Sequence, residues 1–208
     1  MKVAVIVAHP DDETLWAGGT LLSHPQWQVF VASVCRGDDA DRAPKFTNAL
    51  QVFHAQGAMA TLDDGVEQTP LNEEALKQTI LRLLPPIKYD LVITHDPSGE
   101  YTYHLRHIEV SKAVINLWND QQITSKELWT FAYHDGNKKF YPRAIHDASI
   151  KSPLSLDIYA IKHQIMHEVY GYPLDGWEVK TTPMTEAFWS FTDTNMAKKW
   201  LESGRVLS

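Results

Sequence analysis

Residues 3 to 13 read VAVIVAHPDDE. An unbroken apolar run ends in His9-Pro10 and three consecutive acids, Asp11, Asp12 and Glu13. Continuous apolarity without alternation marks a strand buried on both faces, as in a parallel sheet covered by helices. The ending poses an electrostatic problem: like charges crowd where the strand leaves the core, and desolvating them is costly. Either the turn is solvated, with an Asp capping the next helix, or a positive species sits among the acids.

Working outward, residues 2 to 120 alternate strand-like and helix-like segments. TLWAGGTLLSH after the acidic turn reads as a helix weakened by Gly18 and Gly19, which let it lie close to the sheet. WQVFVASVC at 27 to 35 is a second buried strand. DRAPKFTNALQVFHAQG at 41 to 57 reads as a helix, with Pro44 in its first turn and Gly57 at its end. AMATLD at 58 to 63 is a short strand. A helix starts near Asn72 and stops at Pro85-Pro86, YDLVITH at 89 to 95 is another buried strand, and residues 104 to 119 form a helix. Such alternation implies right-handed crossovers, a parallel sheet and an α/β fold.

Beyond 120 the pattern loosens. ELWTFAYHD (127 to 135) and SPLSLDIY (152 to 159) read as strands and YAIKHQIMHEVYG (159 to 171) as a helix. Residues 171 to 183 read as structureless, and TEAFWSF (185 to 191) as a strand or short helix. This part is expected to complete the sheet edge and cover the rim.

The chain has 208 residues, of which 44% are hydrophobic and 22% charged, as in an ordinary globular domain. One domain spanning 1–208 is expected, with 1–120 as its βα core. A formal net charge of −7 argues against nucleic acid or an anionic membrane as the main partner. Cys35 is the one cysteine, so no intrachain disulfide is possible. The first apolar run is too short for a signal core, and no window reaches the roughly 18 apolar residues of a spanning helix. The expected compartment is the cytoplasm.

In parallel sheets ligands bind outside the carboxyl ends of the strands. The first strand ends in His9-Pro10-Asp11-Asp12 and the fourth in Thr94-His95-Asp96, so both polar clusters should meet at one rim. His9 and Asp12 carry nitrogen and oxygen donors suited to Zn²⁺, which would also neutralise the crowded acids. His104 and His107 in YHLRH share one face of a helix start. A catalytic zinc takes three protein ligands and leaves one position open. From the residues alone the site is His9, Asp12 and one of the two later histidines. Asp11 is left free as a base, and the remaining histidine is left to steady an oxyanion or protonate an amine. That is metal-assisted hydrolysis. Trp16 follows the turn closely enough to line a pocket, and His95 and Asp96 are placed for a substrate or supporting role. The pair His163 and His167 lacks the Glu of an HExxH site and is read as structural, and the role of His134 is open.

AHPDDE after a buried first strand resembles the signature of the PIG-L / LmbE-like zinc de-N-acetylases. LWAGGTL resembles the family's Gly-Gly helix, DRAPKFTNALQVFHAQG its Arg-containing helix, HLRH its His-x-x-His, and IYAIKHQI and TEAF its late segments. The resemblance spans roughly residues 3 to 190 and is faint beyond 120. It implies a Rossmann-like three-layer fold with a mostly parallel sheet, and one Zn²⁺ held by His9, Asp12 and His107. It further implies Asp11 as general base, His104 as oxyanion stabiliser or acid, and Arg42 near the active site. The implied substrate is a small N-acetylated amino sugar or conjugate, and a homo-oligomer is left open. The chain departs from the family in Leu105-Arg106, where Pro-Asp is common, in Lys45, where Glu is frequent, and in HEVYGYP, where Ser-Gln stands. The arginine is expected to alter helix-start geometry or substrate preference.

Three competing functions are weighed. One is hydrolysis of a different amide in the same fold. Another is a phospho-receiver holding Mg²⁺, for which Asp63-Asp64 is the only acceptor candidate. The third is an inactive sugar-binding module, against which the complete set of metal and base residues argues.

Overall fold

The computed structural model describes residues 1–203. A seven-stranded sheet runs in the order β3-β2-β1-β4-β5-β9-β8. The strands are β1 (Lys2–Val7), β2 (Gln28–Cys35), β3 (Gln56–Leu62), β4 (Tyr89–Thr94), β5 (Ser125–Phe131), β8 (Ile150–Pro153) and β9 (Thr185–Phe191). Five strands pair in parallel, and β9 and β8 extend the edge antiparallel. The two-residue strands β6 (Tyr133–His134) and β7 (Arg143–Ala144) form a separate ribbon.

The apolar run of β1 is continuous because both faces are covered. Val3, Val5 and Val7 face one core, with Leu15, Trp16, Phe46, Leu50 and Met166. Ala4, Ile6 and Ala8 face the other, with Leu76, Ile80, Val110 and Leu117. Helices α1 (Asp12–Ser23), α2 (Arg42–Val52) and α5 (Leu156–Gln164) lie on the first side. Helices α3 (Glu73–Leu83), α4 (Leu105–Asn119) and α7 (Thr194–Glu202) lie on the second. The result is a three-layer, Rossmann-like α/β fold. The strand order reverses between β1 and β4, which opens a crevice beyond their carboxyl ends.

Several expectations change. α2 stops at Val52, and His54 turns through φ 52°, so Gly57 lies in β3 and does not end the helix. A Cβ on Gly57 would stand 2.6 Å from the Val31 carbonyl oxygen, so the glycine serves close strand packing. A Cβ on Gly19 would overlap the Leu154 side chain, so Gly19 admits the segment after β8, while Gly18 faces Phe53 and Lys162 at ordinary contact distance and neither glycine abuts the sheet. SPLSLDIY is a strand only to Pro153. Ser155 then caps α5, accepting from Ile158 N at 3.3 Å, and this cap overrides the alternating pattern. TEAFWSF is strand β9, and the segment read as structureless contains α6 (Trp177–Thr181). Helix α7 was not anticipated, although Asp193 caps it. The helix continuing from α5 becomes a π-helical turn at Ile165–Val169, a device frequent at functional sites.

An ion pair fastens α1 to the antiparallel edge. Lys162 Nζ on α5 stands 2.6 Å from Glu186 Oε1 on β9, and both side chains are fully buried. Glu186 also accepts from Gly19 N at 2.7 Å and Thr20 N at 2.6 Å. These amides thus bond outside their own helix, while Tyr133 donates to the Trp16 carbonyl. Removing one member of such a pair strands a buried charge. Glu186→Ala should lower unfolding free energy by about 3–5 kcal/mol in urea titrations; a loss near the experimental error would deny the pair this role.

Candidate active site

The turn after β1 is not solvated. Asp12 is 5% exposed and Glu13 is fully buried. Asp11 caps α1 through its carbonyl, which accepts from Thr14 N and Leu15 N, and its side chain makes no cap bond. Its backbone is held at φ 132°, ψ −27°. Such a conformation costs a non-glycine residue on the order of 1–3 kcal/mol and persists where the surroundings over-determine it. Here Glu13 does so: Oε2 accepts from Asp11 N at 3.0 Å, while Oε1 accepts from the Thr14 and Tyr170 hydroxyls, each at 2.6 Å.

Three donor atoms converge at the crevice. His9 Nδ1 lies 3.2 Å from Asp12 Oδ2 and 3.2 Å from His107 Nε2, and His107 Nε2 lies 3.4 Å from Asp12 Oδ2. The far nitrogen of each ring faces a carboxylate. His9 Nε2 is 3.1 Å from Asp64 Oδ1, and His107 Nδ1 is 2.7 Å from Glu100 Oε2. Carboxylates only accept, so those nitrogens carry the protons. With both imidazoles neutral, as a metal ligand must be, His9 Nδ1 and His107 Nε2 therefore turn lone pairs toward each other and toward a carboxylate oxygen. Ligands of a tetrahedral zinc, about 2.0–2.1 Å from the ion, stand about 3.3–3.4 Å apart. The triangle matches that edge length, and its two nitrogens and one oxygen suit the ion. Burial opposes the His9 imidazolium, yet Asp12 and Asp64 prevail and raise it from 6.5 to about 10. The same field favours a metal cation.

Other nearby groups combine differently. His9, His104 and His107 can also converge, as can Asp12, His95 and His107. His95 is ill suited to ligation, because its Nε2 already accepts from Ala8 N at 2.8 Å while Nδ1 donates to Glu100. Glu100 thus bridges two histidines, and Ser111 Oγ ties α4 to the His95 carbonyl at 2.6 Å. His95 and Asp96 were expected in a substrate or supporting role; both are buried and neither lines the cavity, and His95 shares Glu100 with His107, which places it with the supporting reading. Asp96 instead accepts from Ser98 N at 2.8 Å.

The cavity in front of the triangle measures about 460 Å³ and is lined by His9, Asp11, Asp12, Trp16, Arg42 and His104, among others. Trp16 is 1% exposed and packs on Tyr101 and Tyr133, so it forms the floor and offers no open stacking face. Asp11 Oδ2 accepts from the Tyr172 hydroxyl and from Arg42 Nη1 at 3.3 Å. Burial and the Asp12 charge raise Asp11 from 3.8 to about 7, against the pull of Tyr172. A base near neutrality is well poised for proton transfer. His104 stacks on His107 with ring centroids 3.9 Å apart. Its buried Nδ1 has no hydrogen-bond partner among the described residues, and burial with the neighbouring histidines lowers it to about 4. It is neutral near pH 7.

Sequence reasoning missed Glu100, Tyr170 and Tyr172 and took Asp64 only as a receiver acid. Asp64 faces His9 and Arg36, which leaves it unlike a phospho-acceptor. The aromatic pair flanking Gly171 in HEVYGYP was the available signal. Gly171 at φ 77° follows the π-helical turn, and both tyrosine hydroxyls reach the acidic turn. His163 and His167 do not form a metal pair: His167 Nδ1 bonds the Tyr172 carbonyl, and His163 packs by Tyr159. His134 packs against Phe140 in the small ribbon.

Burial opposes charge on Glu100, yet His95 and His107 hold it at about 2, below its ordinary 4.5. A depressed acid contributes stability that is fully present above the unfolded value and is lost as pH falls through the folded one. The metal-free chain should therefore weaken between pH 4.5 and 2, and Glu100→Gln should flatten part of that limb in urea titrations across pH. Parallel limbs would deny Glu100 its bridging charge.

Comparison with known proteins gives a family and a shared fold. The family model described as PIG-L: GlcNAc-PI de-N-acetylase matches residues 4–118, which include His9, Asp11, Asp12, His104 and His107. The uncharacterized protein L374 of Acanthamoeba polyphaga mimivirus is 29% identical over 147 residues, 64% of this chain and 62% of that protein. The match thus spans less than two thirds of that relative. Among solved structures, the N,N'-diacetylchitobiose deacetylase of Pyrococcus horikoshii superposes with a TM-score of 0.64 at 17% identity, covering 92% of this chain and 84% of that one. A deacetylase of the teicoplanin biosynthetic pathway gives 0.61 at 15%, covering 88% of each. GalB, a 4-carboxy-2-hydroxymuconate hydratase of Pseudomonas putida KT2440, gives 0.60 at 15%, covering 93% and 97%. At these identities the structures share the fold. The motif, its placement and the matched family model together make this chain a member of the PIG-L, GlcNAc-PI de-N-acetylase, family.

Proposed function

We propose that the chain is a Zn²⁺-dependent hydrolase that removes an N-acetyl group from an N-acetylglucosamine conjugate or a related amino sugar. The observation that carries this reading is the triangle of His9 Nδ1, Asp12 Oδ2 and His107 Nε2, with edges of 3.2, 3.2 and 3.4 Å beside an unligated Asp11. His9, Asp12 and His107 would hold the ion. Bound there, Zn²⁺ supplies Lewis-acid polarisation of the acyl oxygen and a lowered water pKa.

The remaining roles belong to the chain. Asp11 takes the proton from the attacking water and returns it to the amine nitrogen as the carbon–nitrogen bond breaks, yielding a carboxylic acid and a free amine. Tyr172 and Arg42 hold the Asp11 carboxylate in place, and Arg42 also borders the cavity that admits the sugar. His104, neutral and without a carboxylate on Nδ1, acts as a hydrogen-bond donor to the oxyanion, and Asp11 is left as the acid. Trp16 closes the floor against water. The substrate is a small molecule by the size of the cavity, and the cytoplasm is the proposed compartment. No helix among the described residues is long and apolar enough to cross a membrane.

Asp11→Asn should keep its zinc and lose on the order of 10²–10⁴-fold in rate, read as acetate release from zinc-loaded protein. Full activity in this variant would remove Asp11 as base. Asp12→Ala and His107→Ala should each lose zinc by elemental analysis, and full zinc in both would refute the ligand set. A panel of N-acetylated sugars, nucleotide sugars and lipid- or thiol-linked N-acetylglucosamines should yield acetate from at least one member. Silence across the panel with zinc bound would point to a different amide.

A further inference from the structure

Arg106 stands where the family commonly has Asp, and its side chain is fully buried in spite of its charge. Its guanidinium bonds to the 63–69 segment and to Glu109. Its Nε donates to the Asp63 carbonyl at 2.6 Å and its Nη2 to the Thr69 carbonyl at 2.8 Å. Its Nη1 meets Glu109 Oε2 at 2.6 Å, and Glu109 Oε1 accepts from Leu71 N at 2.8 Å. One guanidinium therefore fastens both ends of the segment from 63 to 69 to α4. The segment has little packing of its own, for Val66 at its tip is 96% exposed.

What the segment carries is Asp64. Its Oδ2 takes Arg36 Nη2 at 2.7 Å, and its Oδ1 lies 3.1 Å from His9 Nε2 and 3.2 Å from Gln68 Nε2. A carboxylate on the far nitrogen of a ligating histidine fixes the ring's tautomer and orientation. His107 has such a partner in Glu100 on its own side of the crevice. His9 has none on β1 or α1, and its partner comes from the fastened segment.

We propose that Arg106 and Asp64 are positioning residues in series. Arg106 holds the 63–69 segment down, and the segment holds Asp64 against His9 so that Nδ1 faces Asp12 and His107. The proposal rests on the ligand role proposed for His9. It accounts for the arginine in HLRH as a clamp and not as a substrate contact.

The test is Zn²⁺ affinity by chelator competition, on wild type, Asp64→Asn, Arg106→Lys and the double variant. Arg106→Lys keeps the buried charge and loses the two-ended fork. Asp64→Asn should bind Zn²⁺ about 10–100-fold more weakly, with an unchanged far-UV spectrum in the metal-free state. Arg106→Lys should weaken binding in the same direction and speed amide exchange across 63–69. Because the two act in series, the double variant should bind no more weakly than Asp64→Asn alone. Wild-type affinity in Asp64→Asn overturns the proposal, as does a double variant whose loss is the product of the single losses. Should Arg106→Lys fail to fold, Asp64→Asn alone still decides. A wild-type chain that binds no Zn²⁺ would sink the ligand reading itself, a result distinct from normal binding in Asp64→Asn.

Discussion

Two imidazole lone pairs and a carboxylate oxygen lie within 3.4 Å of one another at the end of the first strand. Such an arrangement is repulsive unless a proton or a metal ion is shared among the three. Much of the surrounding architecture serves to hold it together. β1 and β4 deliver the histidine turn and the Glu100 loop to one crevice because the strand order reverses between them. Glu100 and Asp64 hold the far ring nitrogens, so neither imidazole can swing its lone pair away. Glu13, buried and bonded to Asp11 N, Thr14 and Tyr170, fixes the strained turn. The acids that looked mutually repulsive in sequence divide into Asp12 in the triangle, Asp11 held by Tyr172 and Arg42 as the proposed base, and Glu13 as a brace.

The sheet, its two covers and the five proposed catalytic and metal-binding residues were legible in sequence for a simple reason. His9, Asp11 and Asp12 directly follow the first strand, where the apolar run stops abruptly, and His104 and His107 open helix α4 as a short spaced pair, while the sheet follows from the alternation and the crossover rule. What was not legible depends on contacts made across the fold. Asp64 precedes no recognisable pattern, and only the bond to His9 reveals its place. Tyr172 follows a glycine in an unmatched segment, and its hydroxyl reaches Asp11 across the fold. Ser155 was lost inside an alternating stretch whose apolar residues belong to a helix. For His95 the strand end left a substrate and a supporting role open, and only its contacts separate them: Ala8 N and Glu100 engage both ring nitrogens.

The fold alone does not choose a reaction. Deacetylases and a hydratase share it at comparable similarity. In this chain the proposed reaction rests on a carboxylate kept out of the His9, Asp12 and His107 triangle and clamped by a tyrosine and an arginine, a pattern suited to proton transfer and not to a fourth ligand.

The π-helical turn at Ile165–Val169 bears on how this molecule is divided in sequence. The residues that would hold the ion all fall inside the stretch matched by the family model, which ends at 118. The tyrosines that donate to Glu13 and Asp11 follow the π-turn, well beyond it. The proposed ligands and Arg42 thus lie in one part of the chain, and the tyrosines that meet Glu13 and Asp11 lie in another. In the proposed reaction, a change at Tyr172 would therefore alter how Asp11 is held while leaving the three proposed ligands in place.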